Sequence, residues 1–177
     1  MSQTEATIRH ARAEDADALA QVWLDSRRRF LGYAPLRHSD EDIHGWIAHT
    51  LIPAGGTRAV ERDGRIVGMY AIAQRDGCGW LDQFYLLPGQ TGQGVGTQML
   101  ARALSELAFP VRLYCFRANE GARRFYERHG FVALRFGDGS DNEEGVPDIL
   151  YGLSDRRLAV FSSSQRLASD SAVLRRR

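Results

Sequence analysis

The stretch FYLLPGQTGQGVGTQML, residues 84–100, places four glycines within eight positions, Gly89, Gly92, Gly94 and Gly96, directly before a helical pattern. Successive backbone N–H groups in such a turn form a concave anion site. A helix starting there adds unsatisfied N–H groups and the positive end of its dipole. Phosphate is the natural guest. Two common phosphate motifs do not fit. A P-loop needs a lysine after its last glycine, but Thr97 follows Gly96 and the chain contains no lysine. A dinucleotide fingerprint read from Gly92 puts Thr97 where its third glycine belongs, and the loop follows a hairpin instead of the first strand of a βαβ unit.

Three further residues could do chemistry. Tyr126, in RANEGARRFYERHGF, carries a phenol that is protonated at neutral pH and can donate a proton; packing beside Phe125 is the competing role. Asn119 suits a helix N-cap and could also bond a ligand. Asp82 is the only acid in the apolar run GWLDQFYLL. Burying it there would be costly without a purpose, whereas an arginine partner or solvent would make it ordinary. Cys78 and Cys115 have no second cysteine or histidine at metal-ligand spacing and read as idle thiols of a reducing cytoplasm. His44 and His49 lie five apart, not at the i, i+4 spacing of a metal pair. No metal is expected.

These residues need elements to position them. Residues 6–12 (ATIRHAR) read as a first strand. An acidic start opens a helix with Leu19, Val22, Trp23 and Phe30 near one face, ending before Gly32. Ser39 caps a second helix that Pro53 closes. Two strand-like runs around Asp63-Gly64 form a hairpin, and GWLDQFYLLP is the next strand. Residues 94–108 form an amphipathic helix, with Val95, Met99, Leu100, Ala103, Leu104 and Leu107 on one side. VRLYCF, a short helix from Asn119 to Gly130, FVALRF and ILYGL complete the order β-αα-βββ-α-β-α-ββ. This is a mixed α/β layer sandwich, not a doubly wound fold.

Composition narrows the function classes. Without lysine, Schiff-base chemistry is excluded. No apolar run is long enough for a membrane span, and the first ten residues lack a signal-peptide pattern. Residues 1–153 carry 17 Arg and 20 acids, net −3; residues 154–177 carry six Arg and two Asp, net +4. The mildly acidic body argues against nucleic acid as a partner. The expected organisation is one domain over 1–153 and a basic, weakly ordered tail over 154–177, in a monomer or homodimer.

LLPGQTGQGVGTQML resembles the coenzyme A loop of the GNAT superfamily of N-acetyltransferases, whose pattern is Gln/Arg-x-x-Gly-x-Gly/Ala after the fourth strand. The matching positions are Thr91, Gly92, Gln93, Gly94, Val95 and Gly96, preceded by Pro88. Thr91 departs from the usual Gln or Arg, which removes a long polar side chain but leaves the backbone donors. Asn119, Tyr126, Gly130 and Phe131 match the family's second signature, and the resemblance covers residues 5–153 in family order.

The resemblance implies a central mixed sheet of six to seven strands flanked by about four helices, with the fourth and fifth strands splayed. It implies acetyl-CoA as cosubstrate. The pantetheine arm would pair with Phe84, Tyr85 and Leu86 and contact Asn119; the pyrophosphate would sit on Thr91–Gly96 and the first helical turn, Thr97 included. An amine would attack the thioester directly, with Tyr126 as acid and no role for Cys115. The branch that acetylates protein N-termini has a Glu five residues before the Asn, where Tyr114 stands here; other branches place a carboxylate on the fourth strand, which makes Asp82 the candidate base, and a water chain ending at another nearby acid would serve as well. Acidic segments at His38–Asp42 and Asp138–Asp148 would wall the acceptor site and favour a small cationic amine or a basic peptide end, unless they are merely solvated. The alternative function is a CoA-binding module of the same fold with a regulatory or no catalytic role.

Overall fold

The computed structural model describes residues 5–161. Seven strands form one sheet: β1 (Thr7–His10), β2 (Thr57–Arg62), β3 (Arg65–Arg75), β4 (Cys78–Leu86), β5 (Val111–Phe116), β6 (Val132–Phe136) and β7 (Asp148–Leu153). Their spatial order is β1-β2-β3-β4-β5-β7-β6, antiparallel throughout except for the parallel β4–β5 pair. Among the described residues the α-helices are α1 (Ala16–Phe30), α2 (Asp40–Trp46), α3 (Val95–Glu106) and α4 (Glu120–Arg128). This is the mixed-sheet architecture expected from the sequence, in the expected order.

Two cores form on the two sheet faces. Alternation along a strand sends neighbouring residues to opposite faces. Ala59 and Met69 pack with Leu19, Val22 and Trp23 of α1, while Val60 and Tyr70 pack with Met99, Leu100 and Leu104 of α3. The six apolar residues expected on the inner face of α3 are all buried. On α1, Leu19, Val22 and Trp23 are buried but Phe30 is exposed. The buried stripe continues instead through Ser26 and Arg27. Ser39 caps α2 as expected, its hydroxyl accepting from Asp42 N at 3.1 Å, and a π-helical segment, Ile47–Leu51, follows.

Packing does not stop at Leu153. Ala159 is buried, Val160 N donates to the His129 carbonyl at 3.2 Å, and the Phe161 ring lies 5.3 Å from the His129 ring. Gly130 leaves room for this segment: a Cβ there would stand 2.1 Å from the Leu158 carbonyl oxygen. The weakly ordered tail expected from 154 onward is therefore built into the fold as far as Phe161. Its remainder, 162–177, lies outside the described residues.

Candidate active site

The site begins with a gap in the sheet. β4 and β5 pair only at Gly79↔Val111 and Trp80↔Arg112, after which the strands separate. The β3–β4 register shifts between Ala71 and Ile72, so that Asp82 is an extra residue opposite no partner. Such a bulge bends its strand and re-aims the side chains beyond it. The opening between β4 and β5 leads to a cavity of 690 Å³. Phe84, Tyr85, Cys115, Asn119 and Tyr126 line it, with Trp23 and Arg27 of α1. The sequence-expected site residues Asp82, Phe84, Tyr85, Asn119 and Tyr126 are thus brought together. Leu86 lies just beyond, its carbonyl accepting from the Ser26 hydroxyl at 2.8 Å.

The glycine loop stands apart from the cavity, at the C-terminal end of β4. Gly94 is the N-cap of α3 with φ +82° and offers no side-chain cap; Gly92 has φ +74°. These left-handed conformations suit glycine alone at little cost. They turn the chain so that α3 starts with its first N–H groups uncapped, and a Cβ placed on Gly92 or Gly94 would meet nothing within 4 Å. The loop is held from outside its own sequence. Arg62 Nη1 donates to Gln90 Oε1 at 3.0 Å and to Gln93 Oε1 at 2.5 Å, and Gln93 Nε2 donates to the Gly89 carbonyl at 2.7 Å. Thr91 turns inward, donating to the Pro88 carbonyl at 3.0 Å. An open, uncapped helix start beside a widened strand pair fits a pyrophosphate with a pantetheine arm running from it.

α4 brings the second set of groups. Asn119 Oδ1 accepts from Ala122 N at 3.1 Å, so its carbonyl caps the helix, and the residue also lines the cavity. Phe125 and Tyr126 divide differently from a simple core-and-cleft split. The Tyr126 ring is buried, packed on Phe84 at 6.1 Å, Phe125 at 5.3 Å and Phe131 at 5.7 Å, and the same residue lines the cavity. Burial pushes its phenol well above the usual tyrosine range, with Cys115 and Tyr85 adding to the shift. The phenol therefore keeps its proton at neutral pH. Burial also pushes the Cys115 thiol up to about 12, which removes the thiolate a nucleophile would need.

Asp82 is exposed at the cavity edge, where Arg75 holds both its oxygens at 2.6 and 2.7 Å. The two acidic segments do converge over the cavity. They are tied together by long-range contacts: Arg37 donates to the carbonyls of Glu143 and Glu144 at 3.0 and 3.2 Å, and His38 Nε2 lies 3.1 Å from Glu143 Oε2. The cavity carries six carboxylates, Asp42, Asp82, Asp141, Glu143, Glu144 and Asp148, against three guanidiniums, Arg27, Arg37 and Arg135.

The cavity-lining residues that the sequence reading passed over are Trp23 and Arg27. Arg27 Nη2 donates to Glu144 Oε1 at 2.9 Å across 117 residues of chain, and both side chains are nearly buried. The available signal was spacing: Arg27 falls four residues after Trp23, on the same helical face, but it stands in a run of three arginines that reads as solvated. Among the described residues, no group of three or more His, Cys, Asp or Glu side chains gathers to hold a metal, and no helix is long and apolar enough to cross a membrane.

Comparison with known proteins decides the relationship. The profile of the acetyltransferase (GNAT) family matches residues 9–131, a span that contains both the glycine loop and Tyr126. The chain belongs to the GNAT family and is an N-acetyltransferase. An uncharacterized N-acetyltransferase of Archaeoglobus fulgidus is 30% identical over 132 residues, covering 67% of this chain and 88% of the relative. The aminoalkylphosphonate N-acetyltransferase of Salmonella typhimurium is 27% identical over 145 residues, covering 73% of this chain and 86% of that enzyme. The crystal structure of PaiA N-acetyltransferase from Thermoplasma acidophilum in complex with coenzyme A superposes with a TM-score of 0.65 at 20% identity, covering 88% of this chain and all of that one. At that identity the likeness speaks for the GNAT fold, to which the splayed β4–β5 pair of this acetyltransferase conforms.

Proposed function

We propose that this N-acetyltransferase moves the acetyl group of acetyl-CoA onto a small primary amine by direct attack in a ternary complex. The observation that carries this reading is the separation of β4 from β5 after two paired residues, with the uncapped start of α3 at one end of the gap and the Tyr126 phenol at the other. Acetyl-CoA would supply an activated thioester carbonyl. In this reading Thr91–Thr97 hold the pyrophosphate by backbone N–H groups, the open edge of β4 at Phe84–Leu86 holds the pantetheine arm, and Asn119 adds an amide donor. A backbone N–H on that edge would stabilise negative charge on the carbonyl oxygen as the amine adds. Tyr126 then gives its proton to the departing thiolate; a phenol raised by burial is a weak acid, but the thiolate takes the proton as it forms.

The amine must shed a proton. An alkyl ammonium ionises near ~10.4 in water and is mostly charged at neutral pH. Asp82 has oxygen lone pairs left after binding Arg75 and lies on the cavity edge, where a water can bridge it to the amine. The excess of carboxylates in the cavity favours a cationic acceptor and draws it in. Direct attack needs no acyl-enzyme, and the protonated, buried Cys115 supports that assignment. The test is a panel of amines, including polyamines, aminoglycosides, amino acids and peptides, incubated with acetyl-CoA and read by free thiol release. The reading expects amine-dependent release. Thiol release that no amine accelerates would reject it.

A further inference from the structure

Arg27 is built as a receptor without its full set of acceptors. Its side chain is 7% exposed and lines the acceptor cavity. Aromatic rings take its faces: the guanidinium carbon lies 4.7 Å from the Trp23 ring centroid and 5.9 Å from that of Phe116. Stacking of that kind leaves the edge of the guanidinium for in-plane hydrogen bonds. Along that edge, one donor goes to Glu144. Nε is buried with no acceptor, and the Tyr85 hydroxyl is the guanidinium's second polar partner beside Glu144. Buried donors normally find partners, and a guanidinium with a donor left over in a cavity suits an anion brought by a ligand.

The distance to the chemistry is short. The Tyr85 ring packs 5.7 Å from Trp23, and its hydroxyl lies beside the Arg27 guanidinium, while the Tyr85 backbone belongs to the strand edge assigned above to the thioester. One tyrosine side chain therefore spans the gap between Arg27 and the acyl site. We propose that the acceptor is a short zwitterion, a primary amine carrying a carboxylate or phosphonate a few bonds away, and that Arg27 binds the acid group while the amine points to the β4 edge. This rests on the amine-acetylation reading above. Glu144 orients the guanidinium, and the remaining cavity carboxylates hold the ammonium end. A role in which the Arg27–Glu144 pair merely pins the acidic loop to α1 predicts equal damage to every acceptor; recognition of an acid group predicts selective damage.

The experiment compares matched acceptors: 2-aminoethylphosphonate and β-alanine against propylamine, which lacks the acid. For the intact enzyme, kcat/KM is expected to be at least about tenfold higher for one of the acids, the effect of one charge-assisted contact. That preference should collapse toward equality in the double variant Arg27→Gln/Glu144→Gln, which leaves no buried charge unpaired, with the change carried by KM. No preference in the intact enzyme, or a preference that survives the double change, overturns the proposal. Which acid wins tells phosphonate from carboxylate. If the double variant does not fold, Arg27→Lys keeps the charge but loses the planar fork; a severalfold drop in preference is expected, and an unchanged ratio overturns the proposal. Calorimetry of the two acids against the CoA-saturated protein separates the readings. Heat lost in the variants keeps the Arg27 site even where no amine turns over; absence of heat from both acids overturns it.

Discussion

The two halves of the proposed site are made of different material. The cofactor half is backbone: the glycine turn, the uncapped start of α3 and the free edge of β4. The acceptor half is side chains contributed from far apart in the sequence: Arg27 from α1, His38 from the next loop, Glu143 and Glu144 from the loop before β7. A backbone site tolerates changes of side chain so long as φ and ψ are kept. A side-chain site changes its ligand with a single substitution. One enzyme can thus keep its cosubstrate fixed while its acceptor varies.

The largest expected effect lies where the two halves meet. Tyr126→Phe keeps the ring packed on Phe84 and Phe131 but removes the proton donor. It should lower kcat by about 10²- to 10⁴-fold with little change in the dissociation constant of acetyl-CoA, checked by steady-state kinetics and titration calorimetry. Activity that survives the change would move the acid elsewhere. Next comes Gly94→Val. Its φ of +82° is unfavourable to a β-branched residue by about 1–2 kcal/mol, so the turn should relax and acetyl-CoA should bind roughly tenfold weaker. A preserved affinity would mean that the turn is not the pyrophosphate site.

The legibility of each half follows from its material. Gly92, Gly94 and Gly96 announce a backbone conformation locally, and the inner face of α3 from Val95 to Leu104 is visible in its periodicity. Asn119 and Ser39 cap the helices they precede for reasons contained in four residues. Arg27 is different. Only its spacing from Trp23 separates it from Arg28 and Arg29 in the chain, because its carboxylate partner comes from a loop 117 residues away. Asp82 sits between these cases. Its position on the strand was readable, but the bulge that isolates it and the Arg75 fork that holds it depend on pairing with β3. Likewise the packing of Ala159 and Phe161 against His129 could not be read from a segment rich in Arg and Ser.

Smaller effects sharpen the contrast. Burial lowers the His129 pKa below the ordinary histidine value of about 6.5, so the unfolded chain binds a proton there more readily than the folded one. Stability that is complete above about pH 6.5 should therefore fall as the pH drops below it, with Tm decreasing from pH 7 to 5. His129→Gln should flatten that slope whatever it does to Tm at pH 7; an unchanged slope would place the acid sensitivity in other groups. The smallest expected change is at Thr91. Thr91→Arg restores a long cationic side chain to the loop and should tighten CoA binding severalfold, of the order of one exposed ionic contact. Weaker binding would count against the alignment of the loop.

The central claim is that the open β4–β5 pair and the turn before α3 hold acetyl-CoA for transfer to an amine. Isothermal titration of the full chain with acetyl-CoA tests it most directly. The account predicts saturable binding to one site per chain below about 1 mM, within the usual range for enzyme substrates, and its weakening by Gly94→Val. Absence of binding at about 1 mM acetyl-CoA would contradict it.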